Sequence, residues 1–267
     1  MAAPLIASLP MYDWPEVRPS WDRLWVLARD ILIAHDVSAP DMLTHVEDYQ
    51  PIWTNPDLIV GQTCGWPFIS RLRDQVVPFA RFDFSLHDLA PGQYQSVFLT
   101  RQPCPFEDLL EIGKWIREEA PVVAVNDLNS QSGNRVFGEC FEQYFEIPPE
   151  AFVLSGSHRN SIRMLASGKA DLCAVDAVSW RFALTHEPAA QEVHIAGRSN
   201  PVPGLPLITA KGLGIDPQEL YAAVKLAIEE LPSDDRECLG LHGLVVATEQ
   251  DYQILLGPPY NNLRLAA

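Results

Sequence analysis

Apolar runs of strand length alternate along this chain with stretches in which apolar residues recur at helical spacing. The predicted strands lie at residues 5–9, 57–62, 76–82, 94–101, 120–126, 192–197 and 205–209. Between the first two, Trp21, Leu24 and Ala28 fall on one face of a predicted helix. This alternation of strands and helices is typical of an α/β protein with mostly parallel sheets.

The order of these elements predicts two lobes. A proline-rich segment at 201–206 follows a predicted strand that comes long after the strand at 94–101. One outgoing and one returning strand would divide the chain into a first lobe, residues 1–98 and 202–267, and a second lobe, residues 99–201. We therefore expect a ligand in the crevice between the lobes, at the carboxyl ends of their strands.

The sequence AVNDLNSQSGNRVFGECFEQYF, residues 124–145, joins a predicted strand to a predicted helix through a polar turn. The apolar face of that helix would carry Val136, Phe137, Cys140, Phe141, Tyr144 and Phe145. The turn contains Asn129, Ser130, Gln131, Ser132 and Gly133. A helix start leaves about four N–H groups unpaired, and Gly133 would let an oxyanion approach the backbone closely. The turn predicts an anion site, although capping by Asn129 or Ser130 would explain the same residues.

A second turn repeats this arrangement. In LSGSHRNSIRM, a predicted strand is followed by Ser155, Gly156, Ser157 and His158, and then by a helix. Adjacent parallel strands would place both turns at the same edge of a sheet, where their donors could converge on one anion. The alternatives are that Ser157 is a simple helix cap and that His158 is a surface histidine.

Two segments, NDLNSQSGNRVF and LSGSHRNSIRMLASGKADLCAVDAVSW, resemble the phosphate/phosphite/phosphonate-binding components of ABC transporters, in the type 2 periplasmic-binding-protein superfamily. The resemblance is weaker in SLPMYD, GQTCGWPF and PGLPLITAKG, and it covers most of the chain in order. It implies two α/β lobes, each a central sheet flanked by helices, with a two-strand hinge. It also implies reversible binding of a small oxyanion-bearing solute by lobe closure, without chemistry, and a membrane permease as partner.

The same resemblance implies roles for particular residues. The phospho group would be bound by Ser130, Gln131, Ser132 and His158, and the rest of the ligand by Asp176 in AVDAVSW. The family often has a further hydroxyl where Gln131 stands, which leaves the ligand's identity open. The other side of the ligand would be covered from the first lobe by Tyr12 and by the turn Thr63, Cys64, Gly65 and Trp66.

Charge and composition narrow the class of protein. Lys and Arg total 19 of the 267 residues against 35 Asp and Glu, a net charge of -16, which weighs against a nucleic-acid partner. It does not exclude an anionic ligand, because exposed charges are screened over about 8 Å at physiological salt. Arg159 or Arg163 could add local positive charge, although Arg163 also fits a solvated helix position.

The five cysteines are scattered and form no CxxC motif, so we expect neither a metal site nor a cofactor. Buried free thiols explain most of them. Cys64, between Thr63 and Gly65 on a turn after a strand, could alternatively be a nucleophile, but no His–Asp pair can be tied to it from the sequence.

Location and alternative functions remain open at this stage. No apolar run reaches the ~18 residues of a membrane-spanning helix, so membrane insertion is not expected. The N-terminal residues lack signal-peptide features, which predicts a cytoplasmic protein as written, or a periplasmic one if a leader was removed. A cytosolic lyase on the same fold, like those of the menaquinone pathway, and a sensor domain of a regulator are the alternative functions.

Overall fold

The computed structural model describes residues 5–104 and 106–265, and the chain divides into two compact units. The first unit comprises Met1–Gln93 and Pro203–Gln253, and the second comprises Tyr94–Val202 and Ile254–Ala267. The chain therefore passes between the units three times, once at each boundary. Two of these passages lie in short strands that pair with each other, and the two-strand hinge stays a prediction.

The strands, in chain order, are β1 Ile6–Ser8, β2 Leu58–Gln62, β3 Val76–Asp83, β4 Gln93–Tyr94, β5 Ser96–Thr100, β6 Val123–Val125, β7 Phe145–Ile147, β8 Phe152–Leu154, β9 Leu172–Asp176, β10 His194–Arg198, β11 Val202–Pro203, β12 Pro206–Ala210, β13 Gly243–Val246 and β14 Leu263–Leu265. The α-helices are α1 Arg18–Ala34, α2 Gln50–Trp53, α3 Gly65–Pro67, α4 Leu109–Glu119, α5 His158–Ala166, α6 Ala177–His186, α7 Pro217–Glu230 and α8 Ser233–Leu239. A π-helix spans Phe68–Leu72, and 3₁₀ helices span Pro10–Tyr12, Arg135–Cys140, Pro149–Ala151, Pro188–Glu192, Lys211–Leu213 and Glu249–Leu256.

The first unit is built on a sheet with the strand order β1-β2-β12-β3-β13. β1 and β2 run parallel, with Ala7 opposite Val60, so their carboxyl ends meet at one edge. Helices α1 and α7 pack together beside this sheet. Their buried residues, among them Trp21 of α1 and Val224 of α7, recur at the helical spacing that puts one face toward the core.

The second unit has a sheet with the order β10-β5-β9-β6-β8. β6 lies between β8 and β9 and is parallel to both, whereas β5 is antiparallel to β9. The carboxyl ends of β9, β6 and β8 therefore meet at one edge of the sheet. The core beneath includes Phe98 of β5, whose ring lies 5.3 Å from that of Phe137.

The structure differs from the sequence prediction after the first polar turn. The helix predicted over 136–145 is instead a six-residue 3₁₀ helix, Arg135–Cys140, followed by β7. A Cβ on Gly138 would overlap the carbonyl oxygen of Pro259, so the C-terminal segment packs directly on this short helix. The prediction was wrong because residues 136–141 are buried without a break, on all sides of the short helix, whereas Tyr144 is exposed rather than on an apolar face.

The C-terminal residues also differ from the predicted lobe division. The sequence analysis assigned all of 202–267 to the first lobe, whereas Ile254–Ala267 belongs to the second compact unit. There, β14 pairs in parallel with β7, and Leu263 lies opposite Phe145. The other predicted lobe boundaries, near residues 98 and 202, stay a prediction.

Candidate anion-binding site

The two polar turns meet at the edge of the second unit's sheet. The hydroxyl oxygen of Ser132 lies 2.9 Å from Nε2 of His158. Their turns follow β6 and β8, which are parallel neighbours, and the Ser155 N–H donates to the carbonyl of Val125 at 2.9 Å. The expectation that neighbouring parallel strands bring the two turns together is confirmed.

Backbone hydrogen bonds hold the first turn in one wide loop. The N–H groups of Arg135 and Val136 donate to the carbonyls of Ser130 and Gln131, each five residues back. At its start, the Asn129 N–H donates to Oδ1 of Asp127 at 2.6 Å. The wide loop replaces the predicted α-helix, so the helix-dipole argument does not apply to this turn.

Backbone donors nevertheless remain in this loop. The Gly133 N–H donates to the Ser130 hydroxyl at 3.0 Å, so Ser130 caps the loop locally. In residues 5–104 and 106–265, no protein acceptor is found for the N–H groups of Gln131 and Ser132. Both residues are buried, with 1% and 2% of their surface exposed. Because buried N–H groups are nearly always paired in native proteins, these two are candidate donors to a ligand.

Gly133 has a packing role. A Cβ at this position would overlap the carboxamide oxygen of Asn126 and would lie 3.0 Å from Cε1 of His158. Only glycine therefore lets Asn126 and the imidazole pack against this backbone. The carboxamide oxygen of Asn126 is enclosed and has no partner among the described residues.

The serines of the second turn bond within it. The Ser157 hydroxyl accepts from the N–H of Asn160 at 3.1 Å and caps α5, as its alternative interpretation held. The Ser155 hydroxyl lies 2.6 Å from that of Ser161. Gly156 has φ +82°, a left-handed conformation that favours glycine. This turn therefore positions His158.

His158 is electrically neutral near pH 7. Its Nδ1 is enclosed by protein, and burial lowers the pKa of His158 to about 4, an effect that the backbone of Ala174 opposes only in part. A neutral imidazole carries one N–H, so its two nitrogens differ in role. Nε2 and the Ser132 hydroxyl can each donate to the other, depending on which nitrogen holds the proton.

The arginines beside this turn are already paired. Nε of Arg159 donates to Glu187 at 2.7 Å, and Nε of Arg163 donates to the same carboxylate oxygen at 2.9 Å. Burial alone would raise the pKa of Glu187, but hydrogen bonds from Arg159 and Arg163 lower it overall. The carboxylate of Glu187 offsets one of these two positive charges, and both guanidinium groups are engaged with it. The donors identified in the first turn are neutral N–H and hydroxyl groups.

Asp176 ends β9 at the same sheet edge. It is 2% exposed, and its Oδ1 accepts from the N–H groups of Val178 and Ser179 at 2.7 and 3.2 Å. These bonds cap α6, and helix capping alone accounts for an aspartate at this position. Its role toward the rest of a ligand stays a prediction.

The candidate residues of the first unit also lie together. The thiol of Cys64 donates to the sulfur of Met11 at 3.6 Å, which joins the turn after β2 to the segment after β1. Tyr12 is buried, and its ring meets Phe84 edge to face at 5.3 Å. The N–H of Thr63 donates to Pro206, and the adjoining Gly65 is buried at the start of α3. Their contact with a ligand stays a prediction.

Sequence reasoning missed two carboxamides, the buried Gln62 and the partly buried Asn126. Each is the polar residue at the end of an apolar strand run and directly precedes one of the turns. Atoms of both side chains lack partners among the described residues. A polar side chain at the end of a predicted buried strand was the signal that could have identified them.

Paired α/β units with polar turns at the carboxyl edges of their sheets define a two-lobe binding-protein fold. A family model described as "ABC transporter, phosphonate, periplasmic substrate-binding protein" matches residues 60–252. The chain belongs to this family, and it is a substrate-binding component of the ABC-transporter type. The predicted resemblance and function are confirmed, and the lyase alternative gains no support.

Solved structures show the same fold. PhnD1 from Prochlorococcus marinus, in complex with methylphosphonate, has a TM-score of 0.68 and 16% identity, with 94% of this chain and 95% of that chain covered. A binding-protein component of an ABC phosphonate transporter from Pseudomonas aeruginosa has a TM-score of 0.66 and 14% identity, with 96% and 85% covered. XAC2383 from Xanthomonas citri, bound to chloride, has a TM-score of 0.68 and 13% identity, with 95% and 96% covered. No curated protein matches the chain by sequence.

The described part of the chain shows neither a membrane-spanning helix nor a metal-binding group of side chains. None of its helices is both long enough and apolar enough to cross a membrane. Across residues 5–104 and 106–265, His, Cys, Asp and Glu side chains form no group that could hold a metal ion.

Proposed function

We propose that the first turn of the second unit, with His158, binds the phospho group of a phosphonate or a related small oxyanion. The observation that carries this proposal is the 2.9 Å contact between Ser132 and His158, which joins the two turns beside unpaired backbone donors. The N–H groups of Gln131 and Ser132 would donate to the oxyanion, and the Ser132 hydroxyl would add a third bond.

The chemistry of the donor set fits an oxyanion. Hydrogen bonds to a charged group are worth roughly 1.5–3 kcal/mol each, so three of them supply about 4.5–9 kcal/mol toward the roughly 8 kcal/mol of a micromolar complex, and contacts to the rest of the solute must supply the remainder. Neutral donors also bind an anion without a buried counter-charge. A neutral His158 is consistent with this, because no proton has to be taken up at pH 7.

Asn129, Ser130 and Gly133 would support this turn, and Ser155 and Ser157 would hold His158 in place. Asp176 would contact the organic part of the solute, as the resemblance implies. The buried Tyr12 and the turn Thr63, Cys64 and Gly65 would be the first unit's contribution.

In the proposed function the protein binds its solute without converting it and delivers it to a membrane permease. Methylphosphonate in PhnD1 supports a small phosphonate as the solute class. The family description supports a periplasmic location and a permease partner. This function assigns no catalytic step to the Cys64 thiol, which donates to the Met11 sulfur.

Calorimetric titration with methylphosphonate, phosphate and sulfate tests the function, together with mass spectrometry of the solutes after incubation. We expect saturable binding of at least one phospho compound and its recovery unchanged. Absence of binding to every phospho compound, or recovery of a cleaved product, would overturn the proposal.

A further inference from the structure

Gln62 is a buried carboxamide whose side chain has no hydrogen-bond partner among the described residues. It is the last residue of β2, and 1% of its surface is exposed. In the part of the chain that the structure describes, neither Oε1 nor Nε2 of its side chain has a hydrogen-bond partner. Its main-chain carbonyl accepts from Nε1 of Trp53 at 2.9 Å, so the backbone position is fixed.

This lack of partners does not depend on how the amide is oriented. Exchanging the oxygen and nitrogen of a carboxamide can rescue a misassigned group, but here both atoms are unpaired. Burying an amide without partners costs free energy, and an apolar side chain of the same length would avoid that cost. Stability of the fold therefore does not explain why a glutamine occupies this position.

Two buried hydroxyls of the same sheet are paired, in contrast. The Ser8 hydroxyl donates to the carbonyl of Thr44 at 2.7 Å, and the Thr209 hydroxyl donates to that of Leu58 at 3.3 Å. The sheet therefore satisfies buried hydroxyls where it contains them. Gln62 differs from these two residues in its position. It is the last residue of β2, beside the turn in which Cys64 contacts Met11.

That place is where open α/β sheets bind ligands. β1 and β2 are parallel, and ligands of such sheets lie beyond the carboxyl ends of the strands. We propose that Gln62 hydrogen-bonds the organic part of the solute and so selects phosphonates whose organic part carries a hydroxyl or a similar group. This inference rests on the proposed function.

The chemistry of a carboxamide sets this preference. Its oxygen accepts and its nitrogen donates, so the partner that satisfies both must itself donate and accept. A hydroxyl does both, an ammonium group only donates, and an alkyl group does neither. Sites that hold such buried polar groups discriminate strongly against an analogue that leaves them unpaired.

Two variants and two solutes of similar size test the inference. Gln62→Met keeps the length of the side chain and removes both hydrogen-bonding atoms, and Thr209→Val is the control at a buried, paired position. Both variants and the parent are titrated with 2-hydroxyethylphosphonate and with propylphosphonate, and each is melted without ligand. For Gln62→Met we expect about 10-fold or greater loss of affinity for the hydroxyl compound, a change within about 3-fold for propylphosphonate, and a higher melting temperature.

The outcomes separate this inference from the proposed function. Equal losses for both solutes, unchanged affinity for both, or a lower melting temperature of Gln62→Met would overturn the role of Gln62 while leaving the anion site intact. A parent protein that binds methylphosphonate or phosphate but neither of these two solutes would overturn this inference alone. A parent that binds none of the phospho compounds would overturn the proposed function, and this inference would fall with it. Thr209→Val is expected to bind both solutes like the parent and to melt at a lower temperature.

Discussion

Ser132 and His158 stand 26 residues apart in the chain, yet their side chains meet at 2.9 Å. The contact follows from topology, because β6 and β8 are parallel neighbours and the residues lie in the turns that leave them. It places a hydroxyl and a neutral imidazole beside two backbone N–H groups that have no acceptor among the described residues. Removal of the hydroxyl is therefore the most direct test of the site.

Ser132→Ala should weaken binding of methylphosphonate about 10- to 100-fold, since one charge-assisted hydrogen bond is worth roughly 1.5–3 kcal/mol. The melting temperature should change little, because the backbone bonds of the turn do not use this hydroxyl. Calorimetric titration measures the affinity. Ser167→Ala, at the far end of α5, is the control and should bind like the parent. Equal affinities of Ser132→Ala and the parent would contradict the proposed site.

Gly133→Ala should destabilise the protein by about 1–3 kcal/mol, since the new methyl group would overlap the Asn126 carboxamide. Urea unfolding measures this difference as a shift of the midpoint. Gly212→Ala is the matched control, because a Cβ there meets no atom within 4 Å. If both variants unfold at the same urea concentration, the packing role of Gly133 is wrong.

The two turns could be predicted from the sequence for a physical reason. Apolar runs end at Asn126 and Leu154, and glycine and serine follow each of them. Those residues are the ones that tight turns and caps require, so the local signal and the fold agree. The parallel pairing of β6 with β8 then follows from the α/β class.

The 3₁₀ helix at Arg135–Cys140 could not be predicted in this way. Its form depends on Gly138 lying against Pro259, a residue far along the chain. The pairing of β14 with β7 likewise joins segments that are far apart in the chain. Periodicity in a short window reports burial, and it cannot tell one buried face from contacts on several sides.

The pairing of polar groups could not be predicted either. Arg159 and Arg163, which the sequence suggested as sources of positive charge for the anion, both form ion pairs with Glu187. In the sequence, Gln62 and Asn126 look like ordinary strand ends. Only the structure shows that atoms of their side chains have no hydrogen-bond partner among the described residues. Hydrogen-bond partners depend on side-chain geometry, which a residue pattern does not contain.

Acid should destabilise the protein partly through His158. Burial holds the pKa of His158 at about 4, whereas an unfolded histidine titrates near 6.5. Between these values the unfolded chain binds more protons, so this group lowers stability as the pH falls from about 6.5 toward 4 and has no such effect above 6.5. His158→Gln should therefore show a smaller loss of melting temperature over that range. An unchanged pH dependence of melting would contradict a buried neutral His158.

Glu139 should act in the opposite direction. Its Oε2 accepts from the backbone N–H of Asn200 at 2.7 Å and from the Asn200 side chain at 3.0 Å. Burial raises the pKa of Glu139, and these bonds offset that effect only in part. The folded protein therefore binds more protons than the unfolded chain in the interval between the two pKa values, and stability from this group is lost as the pH rises through it.

Glu139→Gln should consequently be at least as stable as the parent at pH 8, because the amide oxygen can still accept from Asn200 and no charge is buried. The difference in melting temperature should shrink as the pH is lowered, because the raised pKa of Glu139 lets the parent's carboxyl take up a proton before an ordinary glutamate does. Glu142→Gln, at an exposed position, is the control and should not reproduce this trend. A Glu139→Gln variant that melts lower than the parent at pH 8, with the gap widening as the pH rises, would mean that the charged carboxylate stabilises this contact.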